Sequence, residues 1–160
     1  MGDWIRTTRE SAWDFAPSDV KASVLAHCEE FNLGSILNDP IMCVETLSEK
    51  KKKGLFSSKE DPVKVTAILT KEWLVWVVST KGTSSTLSAR LETLEAIDYE
   101  TSVQNRMIPD RGLALTGTFT GMTGVNGTQR VSAFIGLGDE GAAIQFKNAV
   151  FSALADVRKP

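Results

Sequence analysis

The stretch that decides the fold is VKVTAILTKEWLVWVVST, residues 63–80. Two runs rich in β-branched and aromatic residues flank Lys71-Glu72, a pattern that predicts two antiparallel strands joined by a tight turn. Side chains alternate along a strand, and both faces of the second run are apolar. One face carries Trp73, Val75 and Val77, and the other carries Leu74, Trp76 and Val78. A barrel strand buries only one face in its own core, so the other face needs a cover.

Five more strand patterns surround this pair, which makes seven predicted strands. They are IMCVETLSEK at 41–50, STLSARL at 85–91, LEAIDYE at 94–100, LALTGTFTG at 113–121 and RVSAFIGL at 130–137. Asn126-Gly127 predicts a hairpin turn between the last two. Most of these runs alternate apolar and polar residues, which is typical of antiparallel sheets with one buried face.

Helical patterns stand at both ends of the chain. PSDVKASVLAHCEEF, residues 17–31, has Ser18 as a candidate N-cap and an apolar stripe. That stripe comprises Val20, Val24, Leu25, Cys28 and Phe31. DWIRTTRESAWDF, residues 3–15, is also interpreted as helical. We expect the helix at 17–31 to cover the outer face of strand 73–80, with a homodimer contact there as the alternative.

The C-terminal pattern changes from strand to helix after Gly138. Asp139 is a candidate cap for a helix whose apolar face should enter the core. That face carries Phe146, Val150, Leu154 and Val157, with Ala143 and Ala153 beside them.

Composition is that of a single soluble globular domain of 160 residues with net charge −2. The charge is uneven, because residues 50–64 contain six basic and two acidic side chains, a local excess of +4. Nucleic-acid binding usually shows a positive field across the whole domain, so no nucleic-acid partner is expected. No apolar run has membrane-spanning length and no secretory signal stands at the N-terminus, so we expect a cytoplasmic protein.

Seven strands followed by one amphipathic helix resemble the pleckstrin-homology-like (PH-like) family, in its bacterial form. The resemblance covers Ile41 to about Val157 and implies a mainly β fold of α+β type, a seven-stranded antiparallel bent barrel closed by the C-terminal helix. The chain would divide into a helical N-terminal extension, 1–40, packed on the barrel, and a PH-like domain, 41–160. A lipocalin-like or fatty-acid-binding barrel is the main competing fold.

The resemblance implies two kinds of binding. Some members bind anionic lipid headgroups through the loop between the first two strands of the barrel, which here holds the candidate residues Lys50, Lys51, Lys52, Lys53, Lys59 and Lys64. Lipid-binding members tend to place a second basic residue two positions along the next strand, where this chain has Thr66. Other members bind peptides between the fifth strand and the C-terminal helix. A solvated loop that protects a sheet edge is the structural alternative for the lysines.

Catalytic and metal sites are not predicted. His27 is the only histidine, and neighbouring helix positions point about 100° apart, so His27 does not pair with Cys28. The chain lacks the three or four nitrogen and sulfur ligands of a zinc site, and no cofactor is expected. GMTGVNG, residues 121–127, lacks the Lys-Ser/Thr of a phosphate loop. The sequence thus predicts a non-enzymatic binding module for a protein or peptide, with a peripheral membrane protein that binds anionic lipid as the alternative.

Overall fold

The computed structural model describes residues 4–51, 54, 60–122 and 129–160. Within these ranges lie eight strands and two α-helices. The strands are β1 Trp4–Ser11, β2 Met42–Lys50, β3 Val63–Leu69, β4 Trp73–Thr80, β5 Thr83–Arg90, β6 Glu95–Asp98, β7 Gly112–Gly117 and β8 Val131–Gly136. The helices are α1 Ser18–Glu30 and α2 Gly141–Val157.

The strands form two antiparallel sheets. The first has the order β1-β2-β3-β4-β5 and the second the order β6-β7-β8. All seven predicted strands are present as β2 to β8, and the mainly antiparallel architecture with a C-terminal helix is confirmed. The sheets are not closed into one barrel, so the seven-stranded barrel is not confirmed. The hairpin turn predicted at Asn126-Gly127 and most of the loop predicted at 121–127 lie outside the described residues.

The helical prediction for residues 3–15 was wrong. Residues 4–11 form β1, which pairs with β2 along its whole length, and only a single 3-10 turn follows at Trp13–Phe15. The strand escapes a search for alternating hydrophobicity because its inward positions are polar. Arg6 and Thr8 point toward the second sheet. Ile5, which points the opposite way, is half exposed.

Polar side chains of β1 fasten the edge of the first sheet to the second. The guanidinium of Arg6 donates two hydrogen bonds to the Asp110 carboxylate, at 2.9 and 2.7 Å, and a third to the Ser48 hydroxyl. Two residues further along β1, the Thr8 hydroxyl accepts the Gly138 N–H at 2.8 Å. The partners Asp110 and Gly138 are distant from β1 in sequence, which explains why the sequence pattern alone did not reveal the strand.

The main core lies between the sheets and is completed by α2. Phe146, Val150 and Leu154 are buried there, as the sequence predicted, with Trp76 of β4 packed edge-on against Phe119. The N-cap residue of α2 is Glu140 and not the predicted Asp139, and its side chain makes no capping hydrogen bond to the helix. Its carboxylate accepts the Thr8 N–H at 3.1 Å, so it ties the helix start to β1.

Residues 12–41, which we call the flap, connect β1 to β2 and cover the outer face of the first sheet. Val20 and Val24 of α1 pack on Val77, while Ile36 packs on Trp73 and Val75. The predicted cover for the outer face of β4 is therefore confirmed. The predicted stripe was partly wrong, because Leu25 is 64% exposed and Phe31 40% exposed. Helix α1 instead turns His27 and Ser23 toward the sheet.

Neither α1 nor α2 is long and apolar enough to cross a membrane, and these are the α-helices of the described ranges. The division of the chain at residue 40 stays a prediction.

Candidate interaction groove

The lysine segment begins where β2 ends. Lys50 is the last residue of that strand, and its ammonium lies 2.8 Å from the Glu60 carboxylate. Lys64, in β3, lies 3.6 Å from Glu45. Lys51 is exposed, while Lys52, Lys53 and Lys59 lie outside the described residues. Two of the candidate lysines are thus engaged by carboxylates, which lowers the positive field available to an anionic headgroup.

The family resemblance implies a peptide site between the fifth predicted strand, which is β6, and the C-terminal helix, α2. Side chains bridge this cleft. The ammonium of Lys147, a nearly buried residue of α2, lies 2.9 Å from the Asp98 carboxylate at the end of β6. At the other end of the strand, Arg158 donates a 2.8 Å hydrogen bond to the Leu94 carbonyl. A peptide that entered this cleft would have to displace both contacts.

An open groove lies instead on the outer face of the second sheet, and we call it the outer groove. Strand register aligns Ile97, Ala114 and Phe134 across β6, β7 and β8. The methyl side chain of Ala114 leaves a depression between its two larger neighbours. The resulting volume is about 510 Å³. The second row of the lining is polar and consists of Glu95, Thr116 and Ser132.

The connection from β6 to β7 closes one end of the outer groove. Tyr99 packs its ring edge-on against Phe134, with 5.1 Å between ring centroids, and its hydroxyl donates to the Ile108 carbonyl at 2.7 Å. Asp98 accepts the Glu100 N–H at 3.1 Å, and Asn105 accepts the Asp110 N–H at 3.0 Å. These bonds link residues 98–110 to one another within the connection.

The same connection exposes three large apolar side chains. Val103 is 73% exposed, Met107 is 84% exposed and Ile108 is 70% exposed. Ile97 and Phe134 add exposed apolar surface inside the outer groove. Single exposed hydrophobics are common, so exposed apolar side chains gain meaning where several fall on one short connection and the adjoining sheet face.

A charged pair lies at the edge of the outer groove. The Glu95 carboxylate, which lines the groove, is 3.6 Å from the Arg130 guanidinium. Together with Thr116 and Ser132 it gives the apolar row a polar border, an arrangement typical of interfaces with an apolar centre and a polar rim.

Chemically reactive groups lie elsewhere and are enclosed. Burial raises the pKa of the Cys28 thiol and raises that of Cys43 to about 11, so both are weak nucleophiles near neutral pH. His27 is hydrogen-bonded to Ser88, but Ser88 is fully buried beneath α1. The described residues contain no group of three or more His, Cys, Asp or Glu side chains placed to hold a metal ion.

The sequence interpretation missed the outer groove. Two features of the sequence could have indicated this surface. They are the apolar residues Ile97 and Phe134 at solvent-facing strand positions, and the three hydrophobic residues in the polar stretch 101–110. An apolar residue at an outward position reveals a surface only when its neighbours on adjacent strands are known. That register comes from strand pairing and cannot be read along the chain.

Comparison with known proteins adds no functional assignment. No protein-family model, curated protein or solved structure matches this chain. The geometry of the surface is therefore the basis for the function proposed next.

Proposed function

We propose that this chain is a non-enzymatic interaction module that binds an apolar segment of a partner protein in the outer groove. The single observation that carries the proposal is the concave sheet surface on which the large apolar side chains of Ile97 and Phe134 are more than one-third exposed. The connection that closes one end of this surface exposes three more, Val103, Met107 and Ile108. Contact with a partner would remove this surface from water, at about 25 cal/mol per Å² of apolar area buried.

The hydrogen bonds of the β6–β7 connection support binding of a partner. Tyr99 and Asn105 fasten the connection through bonds to backbone groups, as described above. A surface already fixed in its binding conformation loses less entropy on association than a mobile loop does. The floor at Ala114 leaves room for side chains of an extended segment. The charged pair Glu95–Arg130 at its edge disfavours a wholly apolar contact such as a lipid tail.

We propose a PH-like fold and a cytoplasmic location for this module. Its support is the order of elements, since β2 to β8 followed by α2 is the order that the family resemblance predicts. Within that framework the outer groove replaces the cleft between β6 and α2 as the binding surface. Lys147 and Arg158 bridge that cleft, which argues for the sheet face.

The test is selection of peptides from a displayed random library on the immobilised full-length chain, followed by chemical-shift mapping of one selected apolar peptide. Ala114→Phe fills the floor of the outer groove. Ala155→Phe adds the same ring to the exposed side of α2 and serves as the matched control. We expect the peptide to shift resonances of β6, β7 and β8. Ala114→Phe should weaken binding at least about tenfold, which corresponds to 1.4 kcal/mol.

Two results would contradict the proposal. One is unchanged affinity in Ala114→Phe with shifts that map to another surface. The other is the recovery of no apolar peptide while small apolar molecules bind the outer groove of the wild type and not of Ala114→Phe. That second outcome would assign the surface to a small ligand.

A further inference from the structure

Three polar pairs join α1 to β5 in matching register, an arrangement that we call the polar ladder. Ser84 donates to the Asp19 carboxylate at 3.3 Å. The hydroxyls of Ser23 and Thr86 lie 2.7 Å apart. His27 Nε2 and the Ser88 hydroxyl lie 2.8 Å apart. The spacing is four residues on the helix and two on the strand. Four helical residues rise about 6 Å and two strand residues about 6.8 Å, so the pairs stay aligned.

The connection of the flap to the rest of the chain allows it to move as a unit. β1 ends at Ser11 and β2 begins at Met42, and Ser11 pairs with Cys43. Both ends of residues 12–41 therefore leave the sheet at the same place. Because no strand lies within the flap, it can swing away from the sheet without breaking a strand pair.

The closed flap encloses polar groups on the outer face of the first sheet. Thr66 lies in register with Val77 on that face and is 2% exposed. Its hydroxyl has no hydrogen-bond partner within the described residues. An unpaired buried hydroxyl is unfavourable, and water that reached it in an open state would supply the missing hydrogen bond.

His27 occupies the most enclosed position of the polar ladder. The imidazole is 5% exposed and contacts the Phe31 ring at a centroid distance of 5.1 Å. On its other side lies Gly121, where an added methyl carbon would be 2.9 Å from Cε1 and 3.1 Å from Nδ1. Gly121 also has φ +96°, so glycine is required there for both space and backbone conformation.

We propose that the flap is an acid-sensitive cover: proton uptake by His27 undocks α1 from β5 while both sheets stay folded. A protonated imidazole carries a charge and donates from both nitrogens. The closed site offers one hydroxyl to Nε2 and places Gly121 against Nδ1. In the open flap, water solvates the charged ring fully. Acid therefore favours the open state.

The groups around His27 set the direction of this effect. Burial lowers its pKa below the ordinary 6.5, against the charge of Glu30 on α1, which raises it. From β5 the facing group is Ser88, which does not titrate near neutral pH, and the next outward residue, Arg90, is stacked on Trp73. Residues 119–128 contain no titratable side chain. The closed state is thus unaffected above pH 6.5 and is progressively weakened as pH falls below it.

Hydrogen exchange of the full-length chain, corrected for intrinsic pH dependence, tests the flap at pH 7.5 and pH 5. We expect amides of α1 to lose protection in acid, by up to about tenfold for each pH unit below 6.5 while the closed state remains neutral. Amides of β2 to β4 should keep their protection. His27→Gln retains a hydrogen-bonding side chain without a titrating ring, and its α1 protection should be the same at both pH values.

The nuclear magnetic resonance titration of His27 provides a second, independent measurement on the wild type. His27 is the only histidine, so its Cε1–H signal is unambiguous. The midpoint should lie below pH 6.5, within the pH range over which α1 loses protection. The proposal fails if α1 protection is equal at both pH values, if His27→Gln responds to acid as the wild type does, or if β2 to β4 lose protection together with α1. None of these results depends on the outer groove binding a partner.

Discussion

The two sheets have outer faces of similar chemistry and opposite exposure. Val75 and Val77 on the first sheet are fully buried under the flap, whereas Ile97 and Phe134 on the second sheet remain exposed. The difference follows from the connections. The β1–β2 connection is long enough to form α1 and returns across its own sheet. The β6–β7 connection closes one end of the outer groove and leaves the groove itself open.

This comparison distinguishes two uses of an apolar face. A face covered by its own chain contributes to stability, and its substitution should lower the free energy of unfolding. A face left open contributes little to stability and is available to a partner. Substitutions matched between the two faces can separate these roles, with the inner core as the reference for a fully buried site.

The largest effect is expected in that reference, at Leu154 on the buried side of α2. Leu154→Ala should lower the free energy of unfolding by about 2–5 kcal/mol, because it removes buried methyl groups and leaves a cavity. Ile144→Ala, on the exposed side of the same helix, is the control and should cost less than about 1 kcal/mol. Urea denaturation of both variants measures the difference. A loss below about 0.5 kcal/mol for Leu154→Ala would show α2 to be peripheral to the core.

The covered and open faces can be compared directly with Val77→Ala and Ile97→Ala. Val77 is fully buried under α1, so its truncation should cost about 2 kcal/mol. Ile97 is 51% exposed, and its truncation should cost under about 1 kcal/mol. Thermal and urea unfolding provide the measurement. Equal losses of unfolding free energy in the two variants would mean that the flap does not stabilise the face it covers.

Acid should disrupt the molecule in two separate steps. The first is flap opening below pH 6.5. The second step involves Asp110. Burial raises the pKa of its carboxyl group. The hydrogen bonds from Arg6 and from the Arg111 N–H, together with the charge of Arg6, outweigh burial, so the pKa is lowered. Stability from this pair is complete above the ordinary pKa of 3.8 and is lost as pH falls below it toward the lowered value.

Asp110→Asn tests this second step. This substitution should remove the acid step below pH 3.8 and leave the flap step in place. At neutral pH it should lower the free energy of unfolding by on the order of 1 kcal/mol, because the ion pair is partly exposed. Circular dichroism as a function of pH, with His27→Gln as the reciprocal control, resolves the steps. A single transition in the wild type would show that the flap and the β1 contacts are not independent.

The lysine segment provides the test of the alternative lipid function. Any attraction to anionic vesicles should be generic, near 1 kcal/mol per lysine close to the surface, and should disappear as salt screens it. Replacement of Lys50 to Lys53 by Gln should abolish it, while Ala114→Phe leaves it unchanged. Salt-resistant binding to one phosphoinositide that is lost in Lys64→Ala would instead favour the peripheral membrane function.

Much of the framework could be predicted because hydrophobic periodicity is a local property. The two apolar faces of residues 73–78, the strand patterns and the apolar stripe of α2 all follow from side-chain spacing along one element. The need for a cover over β4 was also predictable, because a strand that is apolar on both faces must be buried on both. Strand β1 was missed because its inward Arg6 and Thr8 are polar and bond to residues far along the chain.

By itself the sequence determined where most strands and both helices lie and which strand needed covering, since these depend on the spacing of apolar side chains. Only the tertiary structure decided that Ile97, Ala114 and Phe134 form one groove, that Lys147 closes the cleft beside it, and that the polar ladder aligns α1 with β5. Each of these depends on the register between elements. Register is set by strand pairing and packing across the whole fold, so it has no signature in any single stretch of the chain.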